Sequence, residues 1–185
     1  MCILNIHHDE EDRRRWQNPG EILANIGLRS GSTFVDVGCG DGFFAIPAAK
    51  LVGEQGKVYG LDISDEALSR LKRRAAREGL GNLSVELGAA EKTVLCNKCA
   101  DIVFFGIVLH DFKYLDKVLK NARKMLKHSG RLVNLDWKKE PMNLGPPLRI
   151  RFSKKEAMHF LEDADFKIET VKDIGPYSYL IIAKP

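Results

Sequence analysis

Apolar and polar positions divide most of the chain after Ser30 into alternating strand-like and helix-like segments. Short apolar runs rich in β-forming residues are followed by longer segments whose apolar residues recur at helical spacing. This pattern predicts strands over residues 33–38, 57–62, 83–87, 101–106 and 132–137, and helices over 42–52, 65–78 and 111–128. Strands that alternate with helices of this length are typical of a parallel sheet with helices on both faces.

The pattern changes near the end of the chain. Ser153 is predicted to cap a helix over residues 154–164. Two further strands, over 167–173 and 177–183, are separated only by the three residues IGP. So short a connection requires antiparallel pairing, because parallel strands need a long crossover. The sequence therefore predicts a single α/β domain over residues 1–185, with five parallel strands and an antiparallel C-terminal hairpin.

Two segments lie outside this regular pattern. Residues 1–28 contain three consecutive arginines followed by Trp16, and then a short helix that Pro19 opens. This N-terminal segment is either a lid over a ligand site or an ordinary surface segment that precedes the core at residues 29–185. The second segment is a loop over residues 138–151, and loops of that length are usually functional or disordered.

Composition narrows the class of protein without choosing a function. Apolar residues make up 44% of the chain and charged residues 29%, as in ordinary globular proteins. No apolar run reaches the roughly 20 residues that span a bilayer, and the first residues do not resemble a signal peptide. We therefore expect no membrane span and a cytoplasmic location. The net charge of only +4 gives no indication of a nucleic-acid partner.

Four cysteines in a chain without an export signal are expected to be reduced. Cys96 and Cys99 form one CxxC pair in the segment CNKC. A structural zinc site needs four ligands, and no second pair stands at a suitable spacing, so no metal site is predicted. The pair is interpreted as two loop thiols, with binding of a soft metalloid such as arsenite as the alternative.

A glycine-rich turn follows the first predicted strand in the stretch FVDVGCGDGFF. Its alternating glycines are Gly38, Gly40 and Gly42. A phosphate-binding loop would end in Lys followed by Ser or Thr, and a dinucleotide fingerprint would place glycine where this chain has Phe43. Asp36 and Asp41 beside the turn would repel a pyrophosphate. The turn therefore favours a ligand that carries positive charge and approaches bare backbone closely.

Asp62 ends the second predicted strand, 20 residues after Gly42. A carboxylate at this place accepts hydrogen bonds from both hydroxyl groups of a ribose. Nicotinamide cofactors use the same contact, so Asp62 indicates a ribose without choosing the cofactor.

Five segments follow one another as they do in the class I S-adenosylmethionine-dependent methyltransferases. They are VDVGCGDG, GLDIS, GAAE, DIVFFGIVLHDF and GRLVNLDW. The chain resembles this family from about residue 19 to its C-terminus, and resembles most its small-molecule members of the quinone-biosynthesis C-methyltransferase type. The resemblance implies a Rossmann-like three-layer sandwich with a mostly parallel seven-stranded sheet whose last strand is reversed. It also implies S-adenosylmethionine as cofactor, whose ammonium and sulfonium groups agree with the acidic turn.

The resemblance implies roles for residues at the matching positions. The backbone of Gly38, Cys39 and Gly40 would pass under the methionine part of the cofactor, and Asp36 would hold its amino group through water. Asp62 would bind the ribose, and Ile63 would pack on the adenine.

Three further positions complete the expected cofactor site. Ala90 and Glu91 follow the third strand, where a backbone N–H usually meets the adenine. The family often has Asp at the position of Ala89, so adenine recognition here depends on backbone or on Glu91. Gly106 would allow close approach to the methionine end of the cofactor.

The candidate catalytic residues are His110 and Asp111, which follow the fourth strand. A methyl group on a sulfonium is already activated, so a general base is needed only if the acceptor arrives protonated. His110 would be that base or a donor that orients the acceptor; the alternative is that both residues are structural. Asp136, Trp137 and the loop residues 141–147 are candidates for lining the acceptor pocket.

The predicted function is transfer of a methyl group to an unidentified small molecule. One alternative is methylation of RNA or protein through basic helix faces at residues 72–77 and 120–128. A second is methylation of arsenite or a thiol through Cys96 and Cys99, and a third is a module that binds the cofactor without catalysis. The chain is expected to be a monomer or a homodimer.

Overall fold

The computed structural model describes residues 10–185. Within them the strands are β1 (Thr33–Val37), β2 (Lys57–Asp62), β3 (Leu83–Leu87), β4 (Ala100–Gly106), β5 (Leu126–Trp137), β6 (Lys167–Ile174) and β7 (Ser178–Lys184). The α-helices are α1 (Glu10–Trp16), α2 (Pro19–Asn25), α3 (Ala45–Val52), α4 (Asp65–Arg77), α5 (Leu115–Met125) and α6 (Lys154–Asp163). Single turns of 3-10 helix cover Leu109–Asp111 and Leu148–Ile150.

The strands form one sheet in the order β3-β2-β1-β4-β5-β7-β6. Strands β1 to β5 run parallel, and β7 lies antiparallel between β5 and β6. This confirms the predicted fold class, a mostly parallel seven-stranded sheet with an antiparallel C-terminal hairpin. The strand order reverses between β1 and β4, and open α/β sheets bind ligands in the crevice beyond the carboxyl ends of the strands at such a point.

Side chains of the central strands alternate between two apolar cores. Phe34 and Phe104 belong to the core under α2, α3 and α4. Val35 and Phe105 belong to the core under α5 and α6. All four side chains are fully buried, which is why these strands read as continuous apolar runs. The sheet is thus the middle of three layers.

The helix predicted over residues 111–128 is wrong at both ends. Residues 109–111 form a 3-10 turn, α5 covers only Leu115–Met125, and β5 begins at Leu126. Leu126 pairs with Ala100, and the register shifts before Ile102 pairs with Arg131. Backbone pairing with β4 therefore overrides the helical pattern of the last residues. The predicted N-cap at Ser153 is confirmed, since its side chain and Glu156 form a capping box.

The prediction of reduced cysteines is also wrong for one pair. Cys96 and Cys99 are joined by a disulfide in the loop between β3 and β4. The loop brings their Cα atoms to 5.9 Å, which lies within the usual range for a disulfide. Cys39 is a free, buried thiol.

No helix among residues 10–185 is long and apolar enough to cross a membrane. In the same residues no group of three or more His, Cys, Asp or Glu side chains is arranged to hold a metal ion. The cytoplasmic location stays a prediction.

The 138–151 loop is organised by one buried guanidinium group. Arg151 donates hydrogen bonds to the carbonyl oxygens of four loop residues. They are Lys138, Glu140, Leu144 and Pro146. The guanidinium carbon also lies 5.9 Å from the centre of the Trp137 ring, at the end of β5. The loop is therefore held against the carboxyl edge of the sheet.

Replacement of Arg151 by Met should lower the free energy of unfolding by ~2–4 kcal/mol, because the four carbonyl groups lose a charged donor. The matched control is Arg149→Met, since Arg149 is an exposed arginine two residues away. Urea denaturation measures the stability, and hydrogen exchange of residues 138–151 shows whether the loss begins in the loop. Equal stability of the two variants would contradict this role of Arg151.

Candidate functional site

The turn between β1 and α3 exposes bare backbone at the carboxyl edge of the sheet. Gly38 has φ +76°, and a Cβ there would lie 2.6 Å from a methyl group of Val108. Gly40 has φ +53°, and a Cβ there would meet nothing within 4 Å. Side chains are therefore excluded at Gly38 by packing and disfavoured at Gly40 by backbone conformation. The open space beside Gly40 leaves its backbone accessible to a ligand.

Asp62 ties this turn to the end of β2. Its two carboxylate oxygens accept hydrogen bonds from the N–H groups of Gly40, at 2.8 Å, and Ser64, at 2.9 Å. The N–H groups of Gly38 and Cys39 both donate to the carbonyl of Leu61. The carboxylate is thus fixed in position, and each oxygen keeps a lone pair for a ligand. The contact between Asp62 and the Gly40 backbone was missed by the sequence analysis.

A cavity of about 530 Å³ opens beside the turn, within the usual size range of small-molecule sites. Six of the predicted site residues line it: Gly38, Asp62, Ile63, Ala90, Glu91 and Asp111. The side chain of Ile63 is 77% exposed there, which is unusual for so large an apolar residue. Leu61, Val108 and Phe112 add apolar wall that the sequence analysis did not predict.

Five predicted site residues do not line this cavity. They are Asp36, Cys39, Gly40, Gly106 and His110. The Cys39 sulfur packs over Gly60 of β2, and burial raises the pKa of this thiol far above its ordinary value. Gly106 lies against the rings of Phe44 and Phe104, so core packing is sufficient to explain a glycine there. The side chain of Cys39 is thus part of the core, and a cofactor role for its backbone stays a prediction.

Asp36 is a buried carboxylate in β1, 1% exposed. Its Oδ2 atom has no hydrogen-bond partner among residues 10–185. Burial and the charge of Asp62 raise the pKa of Asp36 to about 7, against the opposing effects of Arg13 and of the Ala45 N–H. Such an acid carries its proton far more readily than an exposed Asp, and a cation placed next to it would favour its release.

His110 and Asp136 form a buried pair where β4 and β5 end. His110 Nδ1 lies 2.7 Å from Asp136 Oδ1, and His110 Nε2 lies 3.6 Å from Asp111 Oδ1. Burial alone would lower the pKa of His110, but the hydrogen bond and charge of Asp136, with the charge of Asp111, raise it above its ordinary value. The structure brings the two candidate catalytic residues together and adds Asp136 as a third.

Buried polar atoms without partners in the described residues cluster near Asp136. They include its own Oδ2 and the side-chain polar atoms of Asn134 and Tyr179, which lie on the same face of the sheet. Asp136 pairs directly with Tyr179 across β5 and β7. Polar groups buried in this way usually mark a functional or hydrated region. Apart from Asp136, the sequence pattern gave no signal for this cluster, since its members lie in strands that read as apolar.

The N-terminal segment lies against both the glycine turn and the end of β5. Arg13 stacks over the ring of Phe43, with 3.8 Å between its guanidinium carbon and the ring centre. Trp16 packs on Trp137, with ring centres 5.2 Å apart, and edge-on against Tyr177. The lid predicted over residues 1–28 stays a prediction, and its first nine residues lie outside the described part of the chain.

Comparison with known proteins agrees with this geometry. A family profile described as "Methyltransferase domain" matches residues 28–173. A crystal structure of a SAM-dependent methyltransferase from Aquifex aeolicus has a TM-score of 0.89 and 31% sequence identity, over 93% of this chain and 92% of that chain. The chain belongs to the class I S-adenosylmethionine-dependent methyltransferase family. The family and the S-adenosylmethionine cofactor predicted from the motifs are thus confirmed.

Two curated relatives of the chain carry different names. The chain is 28% identical over 138 residues to a demethylmenaquinone methyltransferase of Geobacillus kaustophilus. This alignment covers 72% of the chain and 59% of the relative. The chain is 34% identical over 111 residues to a nocamycin O-methyltransferase of Saccharothrix syringae. This alignment covers 60% of the chain and 40% of the relative. The chain therefore spans only about half the length of these relatives.

The stability of the protein without cofactor should depend on the ionisation of Asp36. The folded-state pKa of about 7 lies above the ordinary value of 3.8. Stability from this group is therefore fully present below about pH 4 and is lost as the pH rises through about 7.

Between pH 5 and pH 8 the free energy of unfolding should fall in the wild type, relative to Asp36→Asn, by on the order of 2–4 kcal/mol. Denaturation of both proteins at each pH measures the difference. The control is Asp41→Asn, which removes an exposed carboxylate from the same turn and should keep the wild-type pH dependence. Parallel pH profiles for wild type and Asp36→Asn would show the account of Asp36 to be wrong.

Proposed function

We propose that this protein transfers the methyl group of S-adenosylmethionine to a small-molecule acceptor. The observation that carries the proposal is the arrangement around the 530 Å³ cavity. Bare turn backbone at Gly38 and Gly40, a fixed carboxylate at Asp62 and a buried acid at Asp36 meet at one edge of the sheet. The turn itself, residues 38–42, contains no Lys or Arg.

The residues present fit the cofactor. The unpartnered Oδ2 of Asp36 suits an ammonium group, and the remaining lone pairs of Asp62 suit ribose hydroxyls. The exposed side chain of Ile63 and the cavity wall at Ala90 and Phe112 suit the flat, largely apolar faces of adenine. When bound, S-adenosylmethionine supplies a methyl group activated by its sulfonium.

In this proposal the chain's own residues position the reactants and move one proton. The Nδ1 atom of His110 is held by Asp136, so that Nε2 is the nitrogen free to accept a proton from the acceptor. Asp136 sets the orientation and tautomer of the ring and stabilises its protonated form. Asp111 lines the cavity and lies close to Nε2, which places His110 at the boundary between the cavity and the buried polar cluster.

The names of the two curated relatives support a small-molecule acceptor, since one methylates demethylmenaquinone and the other is a nocamycin O-methyltransferase. The disulfide between Cys96 and Cys99 counts against the alternative of arsenite or thiol methylation, because both sulfurs are already bonded. Methylation of RNA or protein and cofactor binding without catalysis remain the competing hypotheses. A labelled-methyl transfer assay over metabolite, RNA and protein fractions separates these acceptor classes.

Calorimetry should detect binding of S-adenosylmethionine and no binding of NADH. Asp62→Ala should weaken S-adenosylmethionine binding by ~1–3 kcal/mol, or about 5- to 150-fold, through loss of hydrogen bonds to a charged group. The control is Asp65→Ala, which removes an exposed carboxylate three residues away. A circular dichroism melt identifies any unfolding that follows from loss of the Gly40 and Ser64 contacts. Binding of NADH alone would overturn the proposed function.

The imidazole of His110 should titrate above its ordinary pKa of 6.5, and Asp136→Asn should move that pKa to lower pH. The sign follows because Asp136 favours protonated His110 while burial opposes it. NMR titration measures this shift without an acceptor.

With an acceptor from the screen, the rising limb of the pH–rate profile should move in the same direction in Asp136→Asn. His110→Gln should lower kcat about 100-fold or more, because the proposed general base is lost. Asp116→Asn, an exposed change on α5, serves as control. Unchanged kcat in His110→Gln would exclude a general base at this position.

A further inference from the structure

We propose that Arg13 on α1 binds the carboxylate of the cofactor's methionine moiety, together with Asp36, which takes the ammonium group. The inference rests on the proposed function, and it extends the cofactor site to the N-terminal helix. An amino-acid zwitterion needs one anionic and one cationic partner. Asp36 and Arg13 supply that pair on the two sides of the glycine turn.

Arg13 is held rigidly beside the turn. Its guanidinium stacks on Phe43, the first residue after the last glycine, at 3.8 Å from the ring centre, and lies 5.7 Å from the ring centre of Phe44. Its Nε donates a hydrogen bond to Gln17 Oε1 at 2.7 Å, and Gln17 is buried. The plane of the guanidinium is therefore fixed by a ring on one side and a hydrogen bond at its inner nitrogen.

The two Nη atoms of Arg13 have no partner among the described residues. Neither makes a hydrogen bond or an ion pair there, although Asp36, Asp41 and Glu10 are near enough to affect its charge. Two parallel N–H groups on such a fork match the two oxygens of a carboxylate. A half-buried guanidinium without a bidentate partner is costly to maintain, and a carboxylate ligand would offset that cost.

Arg13 could instead serve only as a counter-ion of Asp36, but this alternative explains the contacts of Arg13 less well than a carboxylate ligand does. No ion pair joins the two side chains in the described structure, and Asp36 titrates near pH 7, so it is partly neutral at physiological pH. Burial lowers the pKa of Arg13 only to about 10, so Arg13 stays cationic. Asp36 therefore does not neutralise the positive charge of Arg13, which is available to a ligand.

Helix α1 is fastened at both ends, which keeps Arg13 in place. Glu10 at its start accepts a hydrogen bond from Arg74 of α4 at 3.2 Å, and Arg74 also donates to the carbonyl of Asp41 in the glycine turn at 3.1 Å. Trp16 at its end packs on Trp137 of β5. The central residue of the helix thus lies against the turn that receives the methionine part of the cofactor.

The test compares two ligands that differ only in the carboxylate. Calorimetry measures the binding of S-adenosylmethionine and of decarboxylated S-adenosylmethionine to wild type, Arg13→Gln, Arg13→Lys and Arg14→Gln. Wild type should bind the decarboxylated ligand about 10- to 100-fold more weakly. Arg13→Gln should lose a similar factor for S-adenosylmethionine and stay within about 3-fold of wild type for the decarboxylated ligand, with Arg13→Lys intermediate for the former.

The controls separate the possible failures. Arg14→Gln changes the neighbouring exposed arginine and should bind both ligands like wild type, whereas Asp62→Ala should weaken both ligands equally. Equal losses for both ligands in Arg13→Gln, or none, would overturn this inference while leaving the proposed function intact. Failure of wild type to bind S-adenosylmethionine would overturn the proposed function, and this inference with it.

Discussion

The site depends on one constraint, the attachment of the glycine turn after β1 to the end of β2. The Asp62 carboxylate accepts the N–H of Gly40 at 2.8 Å, and the carbonyl of Leu61 accepts those of Gly38 and Cys39. These bonds fix a backbone that has no side chain in the way, beside a carboxylate whose position is set before any ligand arrives. Preorganisation of this kind lowers the cost of binding, because the ordering has already taken place during folding.

Charges around the turn divide the site into two parts. Asp36 is buried and titrates near neutrality, while Asp62 is fixed at the edge of an open, mostly apolar cavity. The cation Arg13 stacks on the other side of the turn. A ligand with a zwitterionic end and a flat apolar end complements this distribution, and S-adenosylmethionine, the cofactor of the family, is such a ligand.

The side of the site that we propose for the acceptor is built from different elements. His110 follows β4, and its partner Asp136 belongs to β5. The 138–151 loop, which Arg151 holds by hydrogen bonds, follows β5. Trp16 brings the N-terminal helix to the same edge by packing on Trp137. In the proposed function the cofactor and acceptor regions therefore meet where β4 and β5 end.

The alternation of apolar runs and helical spacing was enough to predict the α/β class, the hairpin and the chain direction of its strands, because these follow from local periodicity and short connections. The glycine spacing and the acids beside it favoured a cationic ligand, because they act within a few residues, and the five segments in order carried the resemblance to the family. The tertiary structure alone decided that Leu126 pairs with Ala100 and ends α5 early, and that Cys96 and Cys99 are bonded. It alone also joined His110 to Asp136, 26 residues away, and placed Arg13 on Phe43. Contacts between distant segments depend on strand order and on packing across the sheet edge, and no local pattern of residues encodes either.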